Sequence, residues 1–269
     1  MIIDMHVHIF ADTLAPRVLA QLEQMSGLTA VTDLTEADTR MRLREWGIDI
    51  GVMMPIATKP SQQRTINDWA AGLQGGSLLS FGTVHPAAAD AGAELRRIRK
   101  LGLHGVKLHP DYQQFEADDR SVYPLYELAA ELDLPLLFHA GFDPVSPSHS
   151  HCRPEQLARI SRDLPDLTVI AAHLGGNCMY EESLRHLAGR DIYLDISLAP
   201  QFISHEQFSE LIGRHDPERV LFASDCPWTN PAQEKEWVER LPAGKGIKER
   251  IFWRNAAELL RIQSAKSGM

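Results

Sequence analysis

Eight short apolar runs recur along the chain, at residues 2–9, 49–55, 79–85, 105–110, 135–141, 168–176, 192–197 and 220–225, and stretches of helical character follow them. The runs are nearly continuous in Val, Ile, Leu, Ala and Phe, as strands are when both faces of their sheet are covered. Between them, amphipathic or Ala- and Leu-rich segments occupy residues 15–25, 36–46, 61–73, 88–101, 122–132, 181–187 and 206–214. Gly47 and Gly102 close two of these, Pro154 opens another as a first-turn proline, and two further helical stretches end the chain. Strand and helix in regular succession predict parallel pairing, and eight such units predict a single α/β domain over residues 1–269, a (β/α)8 TIM barrel. A chain of 269 residues, 44% hydrophobic, could also build two ordinary domains, but no composition break marks a linker between them.

A net charge of -9, with no basic block or basic helical face, argues against a nucleic-acid footprint and in favour of a small-molecule partner. No stretch approaches the roughly 18 to 20 continuous apolar residues of a membrane span. No leader pattern is visible, and Cys152, Cys178 and Cys226 have the odd number and loose spacing of reduced thiols. The expected location is therefore the cytoplasm. Oligomeric state is left open, a homo-oligomer included.

In a barrel of this kind the active site is assembled where the strands end. The polar residues at those ends are His6, His8, His85, Lys107, His109, His139, His173 and Asp225. His6 and His8 are two apart, so an extended strand projects both to one side, where they can share a metal ion. Any one of these residues alone reads as a hydrogen-bonded structural group. Together, histidines and an aspartate at the exits of strands one, five, six and eight read as a metal site. Cys226 beside Asp225 reads as a packing thiol, because strand neighbours point to opposite faces.

The ordered set Asp4-x-His6-x-His8, Gly105-Val106-Lys107-Leu108-His109-Pro110, Phe138-His139-Ala140-Gly141, Ala172-His173-Leu174-Gly175-Gly176, Ser224-Asp225-x-Pro227 and Asn255-Ala256-x-x-Leu259-Leu260 resembles the amidohydrolase superfamily. The resemblance runs end to end and is to the amidohydrolase-related branch, which holds aminocarboxymuconate-semialdehyde decarboxylase, γ-resorcylate decarboxylase and several hydrolases. It implies one divalent ion, Zn2+, held by His6, His8, His139 and Asp225. It also implies catalytic roles for His173, acting from behind the ligands, and for Asp225, as ligand and proton carrier. In binuclear members a lysine on the fourth strand is carbamylated and bridges two metals. Lys107 occupies that strand; it is expected to bind a substrate anion, with a second metal if it is carbamylated.

His109 is expected to contact substrate or a second metal, and His151, in the Pro- and Ser-rich loop 142–153, to point toward the mouth while His149 is solvated. A spacing of two in such a loop is weak evidence for metal binding, since no strand fixes both rings on one face. Arg153 reads as a structural ion-pair partner. Asp4, on the face of the two histidines, either orients one of them or satisfies buried backbone; Asp195 reads as structural. Phe10, Tyr112, Phe142 and Trp228 follow strand ends and are candidates to wall the pocket.

The leading expectation is a metal-dependent hydrolase using a metal-activated water on a small ester, lactone or amide. The alternative is a metal-dependent non-oxidative decarboxylase of an unsaturated or aromatic carboxylic acid. A barrel that only binds a ligand would lack some of these residues, and this chain lacks none. Chain length shorter than the decarboxylases of the branch tilts the expectation toward hydrolysis.

Overall fold

The computed structural model describes residues 1–262. Its strands are Ile3–Val7, Ile50–Met53, Leu78–Ser80 continued by Gly82–Thr83, Val106–Leu108, Leu136–Phe138, Val169–Ala171, Tyr193–Asp195 and Val220–Leu221. Each pairs in parallel with the next in the sequence, apart from an interruption within the third. Backbone bonds then carry the eighth strand back to the first: Met5 N donates to Phe222 O across 2.9 Å, Asp225 N to His6 O across 2.9 Å, and His8 N to Cys226 O across 2.7 Å. This is the expected TIM barrel.

The third strand departs from its expected unbroken run. Residues 78–80 pair with the second strand and residues 82–83 with the fourth, while Phe81 between them donates its N–H to Met53 O across 3.0 Å and accepts from Ser80 Oγ across 2.6 Å. Short helices at Pro110–Gln113 and Ala199–Phe202, unsignalled in the sequence, sit directly after strand exits. The longer helices agree with the periodicity. Two have clear starts: Pro154 stands at the head of Pro154–Asp163, and Ser204 and Gln207 cap His205–Arg214 reciprocally. No described helix is long and apolar enough to cross a membrane.

Two apolar layers hold the barrel. The inner one packs Ile3, Met5, Val52, Phe81, Leu137, Ile170 and Leu221 on one another inside the ring of strands. The outer one packs Val7, Val106, Phe138, Val169 and Phe222 against helix residues such as Ile98, Leu157 and Phe208. Met5 and Val7 would share a face in a regular strand, yet they fall in different layers. The cause is a bulge: Asp4 and Val7 pair with Gly51 and Met53, three steps against two. Above the bulge His6 and His8 face the mouth, while Asp4 turns to the opposite side and accepts hydrogen bonds from Ser224 N and Oγ. The expectation that Asp4 shares the histidines' face is thereby corrected; it satisfies buried backbone and joins the first strand to the last.

Candidate metal centre and active site

Asp225 follows the eighth strand with φ +66, a left-handed conformation that costs a non-glycine residue roughly 1–3 kcal/mol. The turn swings its carboxylate across the end of the first strand, placing Oδ1 3.0 Å from His8 Nε2 and 3.3 Å from His6 Nε2. One donor atom from each of the three residues lies within 4.8 Å of the other two.

The far sides of the two rings decide what that cluster can hold. His8 Nδ1 lies 3.0 Å from the Met54 carbonyl oxygen, which can only accept, so the ring carries its proton there. His6 Nδ1 faces Asp195 Oδ2 at 2.9 Å. Burial, followed by the neighbouring Lys107 charge, pushes His6 down to about 4, so its ring is neutral near pH 7. The neutral His6 ring presents its Nε2 lone pair to the cluster, and the Nε2 atoms of both rings converge on one carboxylate oxygen. A converging set of this kind is stabilised by positive charge. Lys107 Nζ, 3.2 Å from His6 Nε2, supplies part of that charge, and among the described residues His8 has no such partner. Two imidazoles and a carboxylate, with orienting partners behind both rings, suit a divalent ion.

A second group stands across the same cavity. His139, His109 and Asp143 each offer a donor atom within 4.8 Å of the others. His139 Nδ1 lies 3.2 Å from His173 Nε2, whereas His139 Nε2 is buried with no hydrogen-bond partner among the described residues. Buried polar atoms are as a rule paired, so an orphaned ring nitrogen in this wall suits a metal ligand. The rings of Tyr112, His109 and His139 lie parallel, with centroids 3.6 Å and 4.1 Å apart, and form a face-to-face stacked slab with His109 in the middle. Tyr112 Oη donates to Asp143 across 3.1 Å. His173 is held by Ser197 Oγ, 2.8 Å from its Nδ1, and by Asp195, which accepts from its backbone N–H across 2.9 Å.

The amidohydrolase family matches this chain over residues 3–262. The chain belongs to the amidohydrolase family. As an amidohydrolase it is a metal-dependent enzyme. Among solved structures, an uncharacterized TIM-barrel protein from Bordetella bronchiseptica is 22% identical with a TM-score of 0.77, over 97% of this chain and 98% of that one. A 5-carboxyvanillate decarboxylase from Sphingomonas paucimobilis is 16% identical with a TM-score of 0.73, over 97% and 98%. A dihydroxybenzoic acid decarboxylase from a Polaromonas species, solved with manganese and the inhibitor 2-nitroresorcinol, is 16% identical with a TM-score of 0.75, over 98% of both chains. At these identities the likeness is one of fold. No curated protein matches the sequence.

In this amidohydrolase the residues picked from the sequence sort cleanly. His6, His8, Lys107, His109, His139, His173 and Asp225 all line one cavity, walled by Phe10, Ile56, Tyr112 and Trp228. His6, His8 and Asp225 converge, while His139 faces them from the second group. His85 does not line the cavity; its Nδ1 accepts from Ala87 N in the turn below. His151 does not line it either; its ring is engaged by Asp111, with Nδ1 2.8 Å from Oδ1. Phe142 is exposed rather than in the wall. Asp195, read as structural, proves to be the partner of His6. Asp143 and Asn177 escaped notice although both line the cavity. Asn177 is brought there by Gly141, whose φ of +88 lets two loops meet; a Cβ at that position would lie 2.1 Å from Asn177 N.

Three buried imidazoles also set a pH dependence in the metal-free protein. Burial is the first cause that pulls His6, His109 and His139 below their ordinary value. The unfolded chain takes up protons on these rings below about pH 6.5 and the folded chain does not, so stability falls with pH. Denaturant melts of metal-stripped protein should show a loss of about 1 kcal/mol per histidine between about pH 7.5 and 5.5. A flat profile would contradict neutral rings at these positions.

Proposed function

We propose that this amidohydrolase catalyses metal-dependent, non-oxidative decarboxylation of a small planar carboxylic acid, aromatic or conjugated. One observation carries the reading: Lys107 is fully buried among the cavity histidines, and among the described residues no carboxylate pairs with it directly. A buried ammonium beside a cation-binding cluster favours a substrate that brings its own negative charge. The stacked rings of Tyr112, His109 and His139 line the cavity with aromatic surface suited to a planar acid. The two decarboxylases of like fold support the same choice, and because the likeness covers 98% of each, chain length no longer tilts the reading toward hydrolysis.

In this reading His6, His8, Asp225 and His139 hold a divalent ion, with Zn2+ the choice on donor type. When bound, the ion supplies Lewis acidity toward the substrate's oxygens. Lys107 pairs with the carboxylate and fixes its register against the slab. The apolar wall excludes water from the reacting carbon. Asp225 takes up a proton from solvent and delivers it to the carbon that bears the carboxylate. The bond to the carboxylate carbon then breaks, carbon dioxide leaves, and the electron pair restores the conjugated system. His173, braced by Ser197 and Asp195, positions the His139 ring.

Hydrolysis is the second reading, and Asp225 itself favours it. Burial would raise this carboxyl, but His6 and His8 more than offset the effect and hold it well below the usual carboxylate range. An ionised Asp225 is suited to accept a proton from attacking water. A substrate panel separates the two. Carbon dioxide release from hydroxybenzoates or conjugated acids is the expected result, abolished by a chelator and restored by Zn2+ or Mn2+. Turnover of esters, lactones or amides with no carbon dioxide release would overturn the proposal. Within the active panel, Lys107→Met should raise KM for the acid by about 10- to 100-fold, the loss of one charge-assisted hydrogen bond.

A further inference from the structure

We propose that Glu116, His149 and His151 bind a further metal ion at a separate site, a divalent transition metal such as Zn2+, which clips the loop 142–153 to the segment after the fourth strand. This cluster lies outside the catalytic cavity. One donor atom from each of the three residues falls within 4.8 Å of the others. His149 Nε2 is 2.9 Å from Glu116 Oε1, and the two imidazole rings stand edge to face with centroids 4.6 Å apart. An ion pair between His149 and Glu116 would account for the first distance and for nothing else in the arrangement.

What distinguishes a metal site is the support behind the ligands. Asp111, buried beneath the loop, accepts from both the backbone N–H of His151 at 3.0 Å and its ring Nδ1 at 2.8 Å. The ring is thus locked with its proton on Nδ1, which leaves the Nε2 lone pair free. Carboxylate, histidine and metal in that order is the usual way a ligating imidazole is oriented and made more basic. Gln156, also buried, donates to Glu116 Oε2 across 2.9 Å and leaves Oε1 directed at His149. Two ligands are therefore preset by interior groups that the protein does not need in order to keep an exposed ion pair. Two imidazoles and a carboxylate, with water completing the coordination, suit Zn2+ better than Mg2+ or Ca2+.

The clip bears on the active site through the loop it fastens. Asp143, Pro144 and Val145, from the same loop, line the mouth of the cavity, and Asp143 is the partner of Tyr112 in the slab. On the other side, Ala117 N donates to His151 O across 2.9 Å, so an ion at Glu116 would reinforce an existing seam.

The test is a Zn2+ titration of the full chain after chelator stripping, followed by calorimetry and metal analysis. Wild type should bind one more equivalent than His149→Ala, whose substitution at an exposed ring leaves the fold intact. His8→Ala should retain the equivalent that His149→Ala loses, so the clip is distinguished from the cavity whether or not the cavity takes zinc. Asp111→Asn should weaken the clip by about 10- to 100-fold without removing it. Amide exchange of residues 142–151 should slow on zinc addition in wild type and in His8→Ala, and not in His149→Ala. Equal stoichiometry in wild type and His149→Ala, or zinc-independent exchange in that loop, would overturn the proposal.

Discussion

Replacing Asp225 with asparagine is expected to lower kcat by about 10²- to 10⁴-fold, the range for loss of a positioned proton carrier. The substitution is unusually clean. Asparagine is nearly the same shape and is among the few residues that tolerate the left-handed backbone which Asp225 adopts at φ +66. What changes is chemistry: the amide cannot carry a proton, and it presents no charge to His6 and His8. Weakened metal binding would mimic the loss, so turnover is to be measured at saturating metal with the bound ion counted. Slow turnover by a fully loaded variant assigns the proton step to Asp225. Full activity would sink the mechanism in either its decarboxylase or its hydrolase form.

The second large effect is expected at Asp195, which touches no substrate. Its carboxylate accepts from His6 Nδ1, from the backbone N–H groups of His173 and Ser197, and from Ser197 Oγ, all in the buried interior. Burial would raise its pKa, but His6 and the surrounding donors reverse that and hold it well below the usual range. Asp195→Ala strands several donors at once, and a loss of about 3–5 kcal/mol in folding stability follows. With His6 no longer fixed in its tautomer, metal affinity should also fall by about 10- to 100-fold. Urea melts and zinc titrations measure the two effects separately. A variant as stable as wild type and binding metal equally well would show that Asp195 only fills space.

The strand succession and the His6–His8 pair were legible because both rest on short-range periodicity. A two-residue repeat sets a face, and a polar residue ending an apolar run sets a strand exit. Even so, the bulge between Asp4 and Val7 was invisible: it arises from pairing with Gly51 and Met53, and the first strand's own sequence contains no glycine or other break. Asp195 was undervalued for a similar reason. Its partner His6 lies 189 positions away, and nothing local says that an aspartate at the end of the seventh strand points at a ring on the first. His151 was misjudged because its orientation belongs to Asp111 rather than to its own loop. Asp143 could have been found, since it stands four residues after His139 at the strand exit, but a loop rich in Pro and Ser fixes no direction.

The seam between the first and last strands has a consequence for how the protein comes into being. His6 and His8 precede Asp225 by more than two hundred residues, and Asp4 and Ser224, 220 apart, clasp the same two strands just beneath them. No shorter piece of the chain brings these groups together. The chemistry of the site is therefore a report that the ring has been completed, and an ion captured there rewards only molecules in which the last strand has found the first. A nascent chain carries its two histidines through the synthesis of more than two hundred further residues before the aspartate that gives them a purpose has been made.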